Sequence, residues 1–382
     1  MEDWTSPHVP HAGGVLAHKF SAVGEAFAEN FAGGHELGAS FAVMIDGELA
    51  VDIRGGYADK AREHPWTEQS LACIYSSGKA VLSLLIAREV SEGRLDYAAP
   101  VAEYWPEFAQ NGKDKITVAQ AMSHQAGLCG IVEEMPPQEW LNWEAATARI
   151  AAMAPLWAPG AANGYGPQTF GFIAGELLRR VSGHGVGTLV GALRDKTGAE
   201  LYCGMKGETL LSRIVYMPKP PRAPDLGEIN EYTKAAFLKP WSAPARVARE
   251  EWIAAEIPAS NMHANASALA SVVYPFAGGG NWPDGEPYLT EGALDAALQP
   301  RITGDDLVLP FHLSWAAGLM RNVNRHFGPN ENAYGHAGFG GSCVVIDPEH
   351  RFAAAYVMNK MSPHLVGDPR SLRLLDALYG AL

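Results

Sequence analysis

The chain has 382 residues, 47% of them hydrophobic, which is enough to fill one large core or two adjoining ones without covalent staples. A formal charge of −13, with lysines and arginines scattered along the chain, leaves no basic footprint for nucleic acid. Four cysteines (Cys73, Cys129, Cys203 and Cys343) without C-x-x-C spacing point neither to a disulfide framework nor to a cysteine-rich zinc site, and they predict a reducing compartment.

The segment Met1 to Gly14 carries Glu2, Asp3, two prolines and two histidines, and lacks the basic start and apolar run of a secretory signal. It is read as a mobile tail. The best apolar stretch elsewhere, Ala80 to Ala87, is too short to span a bilayer. The expectation is a cytoplasmic protein with no membrane or nucleic-acid partner; no sequence pattern reports an oligomeric state.

Apolar residues recur at helical spacing from Phe20 to Phe31. Ala39 to Ile45 and Glu48 to Ile53 then flank Asp46-Gly47, the signal of a two-residue β-hairpin. Ser76 to Glu92 reads as a mostly buried helix that ends at Gly93, with the serine at its start. From there to about Gly285, helical segments alternate with turn-rich stretches such as Met217 to Pro224, with four prolines, and Ala277 to Gly285, with four glycines. Strands return at Leu313 to Met320, Cys343 to Asp347 and Phe352 to Met358, followed by a helix from Arg370 to Tyr379. Strands at both ends with helices between them imply an α+β fold whose sheet is made from the two termini.

The first chemical signal is Ser76-Ser77-Gly78-Lys79, the one S-x-x-K string in the chain. Three residues apart at a helix start, the amine and the hydroxyl share a face and can meet. A serine needs a nearby base to become nucleophilic, and a lysine serves once burial has lowered its pKa. This string opens the most apolar helix, where an idle lysine would be expensive.

Around it lie Ala72-Cys73-Ile74-Tyr75, the run Gly93 to Val101, Pro106-Glu107-Phe108, Thr117 to Leu128, Trp157-Ala158-Pro159-Gly160, Tyr165 with Gly171 to Gly183, and His336 to Lys360. Together, and in this order, these segments resemble the serine β-lactamase-like superfamily, in particular class C β-lactamases and family VIII carboxylesterases. The resemblance covers most of residues 40–190 and 310–382. It implies a β-lactamase/transpeptidase-like fold, an antiparallel sheet flanked by helices plus an all-helical domain, with the active site between them. Residues 1–71 and 305–382 are assigned to the sheet domain, and residues 72–304 to a helical domain whose long loops line the site.

The resemblance also implies roles. Tyr165 falls where the family's tyrosine relays protons beside the serine and lysine, which a phenol does if a cation such as Lys79 stabilises its phenolate. The family's Y-x-N is here Tyr165-Gly166-Pro167; loss of that amide weakens the case for β-lactam turnover and leaves ester hydrolysis intact. His336-Ala337-Gly338 occupies the place of the family's K-T-G on an edge strand, with the Phe339 N–H pairing with the Ser76 N–H as an oxyanion hole and Gly340 keeping the turn open. A neutral imidazole at His336 offers no cation to a β-lactam carboxylate, which favours uncharged esters. Gln125, Pro167 and Trp157 are candidate pocket residues, within a helical insert rich in aromatics.

The expected activity is cleavage of a small-molecule carboxylic ester, with short to medium acyl chains, through a Ser76 acyl-enzyme and without metal or cofactor. The alternatives are a β-lactamase or DD-peptidase-like enzyme, an amide hydrolase, an acyltransferase, and a catalytically inactive binding protein. An α/β-hydrolase is disfavoured because no G-x-S-x-G occurs. A zinc hydrolase is disfavoured because His35-Glu36-Leu37-Gly38-Ala39 lacks the second histidine of H-E-x-x-H.

Overall fold

Phe352–Met358 is apolar at every position, the pattern of a strand covered on both faces rather than one wetted on one side. In the computed structural model, which describes residues 1–382, this strand lies near the middle of a ten-stranded antiparallel sheet. The chain contributes β1 (Glu2–Asp3), β2 (Gly13–Leu16), β3 (Gly38–Ile45) and β4 (Glu48–Gly56) from its start. It forms a separate three-stranded sheet from β5 (Ala72–Cys73), β6 (Leu201–Tyr202) and β7 (His263–Ala264). The large sheet is completed by β8 (Ile302–Asp305), β9 (His312–Trp315), β10 (Met320–Arg321), β11 (Tyr334–Ala337), β12 (Cys343–Asp347) and β13 (Phe352–Met358). Its strand order is β1-β2-β4-β3-β13-β12-β11-β10-β9-β8.

Five helices fix the layers: α1 (Ser21–Ala32), α2 (Lys79–Ser91), α3 (Thr169–Ser182), α4 (Ala266–Val273) and α5 (Pro369–Tyr379). Alternation along the strands divides the core. Phe41, Val43, Phe352, Ala354 and Tyr356 share one cluster with residues of α1 and α5, whereas Ala42, Met44, Ala353, Ala355 and Val357 share another with α4 and α2. Helix α4 packs on β3 and β13, α2 packs on α4, and α3 packs on α2. Every residue from Lys79 to Ala87 is buried, so α2 is enclosed on all sides. No helix is long and apolar enough to cross a membrane. All four cysteines are buried and unpaired.

The Asp46-Gly47 hairpin forms as predicted, with φ of 50° and 83° at the two turn residues. The N-terminal segment departs from expectation. It is no mobile tail: β1 pairs with β2, β2 pairs with β4, and the buried Trp4 meets Phe27 edge-on at 5.5 Å. The expected strand Leu313 to Met320 is instead a hairpin, in which Met320 pairs back to Trp315. Gly318 at its turn has φ +83°, and a Cβ there would lie 2.2 Å from Ser83 Oγ of α2, so close passage of the helix forces the reversal. Strand β11 is also not an edge strand, because β10, β9 and β8 extend the sheet beyond it.

Candidate active site

The helix predicted to begin at Ser76 begins with a 3₁₀ turn, Tyr75–Gly78, and becomes α-helical at Lys79. Tyr75 holds φ +46°, a strained value for a residue with a side chain, and its ring meets Phe339 edge-on at 5.6 Å. The turn presents Ser76 Oγ to Lys79 Nζ at 2.9 Å. Nζ also donates to the carbonyls of Pro167 (3.1 Å) and Ala259 (3.3 Å). Lys79 is fully buried, and burial drives its pKa well below the ordinary 10.5. A neutral amine has two hydrogens and one lone pair. With the hydrogens given to the two carbonyls, a neutral Lys79 would turn its lone pair to the serine hydroxyl, as a general base must.

Tyr165 arrives from the loop ahead of α3 and donates its hydroxyl to Ser76 Oγ at 2.7 Å. The Lys79 amine sits 4.9 Å from the centre of its ring. Burial raises the Tyr165 pKa, the hydrogen bond to Ser76 opposes this, and the Asp306 carboxylate raises it further. Burial thus works against a phenolate at Tyr165 and against a cation at Lys79 alike. Asp306, which no sequence pattern singles out, anchors the loop: its Oδ1 accepts from the N–H groups of Tyr165 (3.1 Å), Val308 and Leu309 (both 2.9 Å), and its Oδ2 from Asn163 Nδ2 at 2.8 Å.

Strand β11 delivers the glycine-rich turn to the other side of Ser76. A Cβ on Gly338 would lie 2.3 Å from the carbonyl oxygen of Ile74 and 3.0 Å from Ser77 Oγ, so only glycine permits this approach. Ser77 Oγ donates to the His336 carbonyl at 3.3 Å and Ser342 Oγ to the Ile74 carbonyl at 2.9 Å, stitching strand to turn. Phe339 follows with an N–H that has no acceptor within the chain. Gly340, at φ +94°, passes its carbonyl to Arg370. The His336 ring does not face the cleft. It is fully buried, with ring centres 6.0 Å from Tyr165 and 5.9 Å from Trp315, and Nδ1 lies 2.9 Å from the Ala337 carbonyl. Burial, reinforced by Lys79, pushes its pKa down to about 3, so it is neutral.

Ser76 opens into a cleft of about 480 Å³ that Tyr165, Pro167, Ala337 and Phe339 also line. Loops add Leu226, Leu365 and Val366, the π-helical turn Lys234–Leu238 adds Phe237 and Leu238, and no charged side chain takes part. Gln125 and Trp157 lie outside it. Both support the loop that carries Tyr165: the Gln125 carbonyl accepts from Gly160 N–H at 3.0 Å, and Trp157 Nε1 donates to the Ala162 carbonyl at 3.0 Å. His124, equally unforeseen, packs its buried ring 4.9 Å from Tyr165 and 4.4 Å from Trp315, and its Nδ1 accepts from Gly166 N–H at 3.2 Å. The string Ser-His-Gln-Ala-Gly that contains it is the signal from which it was readable.

The chain is similar to known proteins along nearly its whole length. The Beta-lactamase family model matches residues 24–379. The curated "Esterase/beta-lactamase LipL" of Mycobacterium tuberculosis (strain ATCC 25618 / H37Rv) is 32% identical over 372 residues, covering 92% of this chain and 84% of that protein. A crystal structure of a penicillin-binding protein homologue from Caulobacter crescentus superposes with a TM-score of 0.94 at 47% identity, over 97% of this chain and all of that one. A crystal structure of a family VIII carboxylesterase gives 0.90 at 35% identity, again over 97% of this chain and all of the other. This chain belongs to the Beta-lactamase family, and it is a serine hydrolase of the β-lactamase fold.

Proposed function

We propose that the protein hydrolyses uncharged carboxylic esters through an acyl-enzyme on Ser76. The observation that carries this reading is one hydroxyl, Ser76 Oγ, within 2.9 Å of a buried amine and 2.7 Å of a buried phenol at the wall of an uncharged apolar cleft. Lys79 takes the Ser76 proton as Oγ attacks the ester carbonyl. The oxyanion is held by the N–H groups of Ser76 and Phe339. Tyr165 gives its proton to the departing alkoxide and regains one from Lys79. Water then attacks the acyl carbonyl, giving a proton to the same pair, and the pair returns that proton to Ser76 Oγ as the acid departs.

The preference for esters over β-lactams rests on charge. Lys79 is enclosed by its three partners, His336 is neutral and turned away, and the cleft lining offers no cation for a carboxylate. A carboxylesterase structure of the same family supports this reading. A panel of p-nitrophenyl esters of increasing chain length, run beside nitrocefin and a penicillin, tests it. We expect kcat/KM for the butyrate to exceed that for either β-lactam by at least about a hundredfold, as loss of a charge-assisted contact of roughly 3 kcal/mol implies. A larger value for a β-lactam overturns the assignment. Fluorophosphonate labelling that maps to a residue other than Ser76 overturns the nucleophile.

A further inference from the structure

Gln168 stands at the start of α3, where serine, threonine, aspartate or asparagine ordinarily cap a helix through the side chain. Its side chain makes no capping hydrogen bond. Instead Ser260 Oγ donates to Gln168 Oε1 at 2.7 Å, and both residues line the cleft that holds Ser76. Gln168 Nε2 has no acceptor within the chain, although Oε1 is fixed. The placement is tied to the reacting hydroxyl. Pro167 and Ala259, the residues just before Gln168 and Ser260, are the two whose carbonyls hold Lys79. Two adjacent dipeptides thus turn a carbonyl inward to the amine and a side chain outward to the cleft.

We propose that Gln168 is a substrate-binding residue: its carboxamide, oriented by Ser260, donates a hydrogen bond to an acceptor oxygen that the ester carries beside its scissile carbonyl. The preferred substrates are then esters with a second carbonyl or ether oxygen, rather than plain alkyl esters of the same length. An amide N–H that loses water in a mostly apolar cleft discriminates strongly, since a substrate without the acceptor leaves it unpaired. This inference rests on Ser76 as nucleophile.

The test uses two nearly isosteric pairs, one for each side of the scissile bond. On the acyl side, p-nitrophenyl levulinate is compared with p-nitrophenyl valerate; on the alcohol side, methoxyethyl butyrate is compared with butyl butyrate, followed by pH-stat. Within each pair the ratio of kcat/KM is measured for the native enzyme, Q168M and S260A, which makes every variant its own control for correct folding. We expect Q168M to lower the ratio about tenfold in one pair, and S260A to lower it in the same pair by less. Ratios unchanged in both pairs, with S76A inactive, overturn the role of Gln168 alone. Hydrolysis that survives in S76A overturns the nucleophile on which it rests.

Discussion

Arg370 Nη2 donates to the carbonyl of Gly340 at 3.1 Å, tying α5 to the turn that carries the Phe339 N–H. The same guanidinium spans Asp368 (2.9 and 3.0 Å), Glu36 (3.2 Å) and the Lys360 carbonyl (2.7 Å), and it is buried. In the proposed mechanism it therefore acts on the oxyanion donor by holding the backbone in place, without touching substrate. Arg370→Lys keeps a cation but loses the planar fork, and should lower kcat about tenfold with a smaller change in KM, as steady-state kinetics will show. Arg370→Met strands two buried carboxylates and should destabilise the fold by about 3–5 kcal/mol in a denaturant titration.

Tyr165→Phe removes the group proposed to pass a proton to the leaving alcohol while keeping the ring against Trp315, stacked at 6.0 Å. The expected loss in kcat is about 10²–10⁴-fold with KM little altered. A kcat within a fewfold of the native value would remove Tyr165 from the mechanism.

Lys79 works as a base only when neutral, so kcat/KM should rise with pH along a limb set well below the ordinary lysine value of 10.5. No second limb should appear below pH 10, because Tyr165 is pushed above its ordinary 10.0. Stability follows the same titration. Between the lowered folded pKa and 10.5 the unfolded chain carries a proton at this site that the folded chain lacks, so raising pH favours the fold. Relative to K79M, the native protein should gain stability with pH by up to about 1.4 kcal/mol per unit in that window. Denaturant titrations of both proteins from pH 6 to 9 check the sign; parallel curves would mean that Lys79 is charged in the fold.

Asp306 receives three backbone N–H groups on one oxygen and the Asn163 amide on the other. Asp306→Ala leaves four donors without a partner and should destabilise by about 2–4 kcal/mol. It should also lower kcat more than tenfold, since the Tyr165 N–H loses its anchor. Asp306→Asn retains an oxygen for the three backbone donors and should keep most of both. Thermal melts and ester kinetics on the two variants separate the outcomes.

Much of the fold was legible because its signals are local. The Asp46-Gly47 turn needs two residues of positive φ, and this dipeptide supplies them. The runs Cys343–Asp347 and Phe352–Met358 are buried on both faces, and their composition says so. The errors lie where distant chain decided the outcome. Leu313 to Met320 has the residues of one strand and folds as two, because α2 passes against Gly318. The N-terminal segment looks polar and loose, yet it is held by pairing to β4 and by Trp4 against Phe27.

The same division runs through the site. Ser76 and Lys79 are bound to meet by the geometry of a single helical turn, and the glycines at 338 and 340 announce a backbone that must come close or bend back. The burial that lowers the Lys79 pKa, and the Pro167 and Ala259 carbonyls that hold its amine, come from chain 88 and 180 residues away. Asp306, Arg370 and the free amide of Gln168 take their meaning in the same way. Spacing along a chain fixes which neighbours can touch; exclusion of water and the partners met across the fold fix which groups are charged, and those are properties of packing alone.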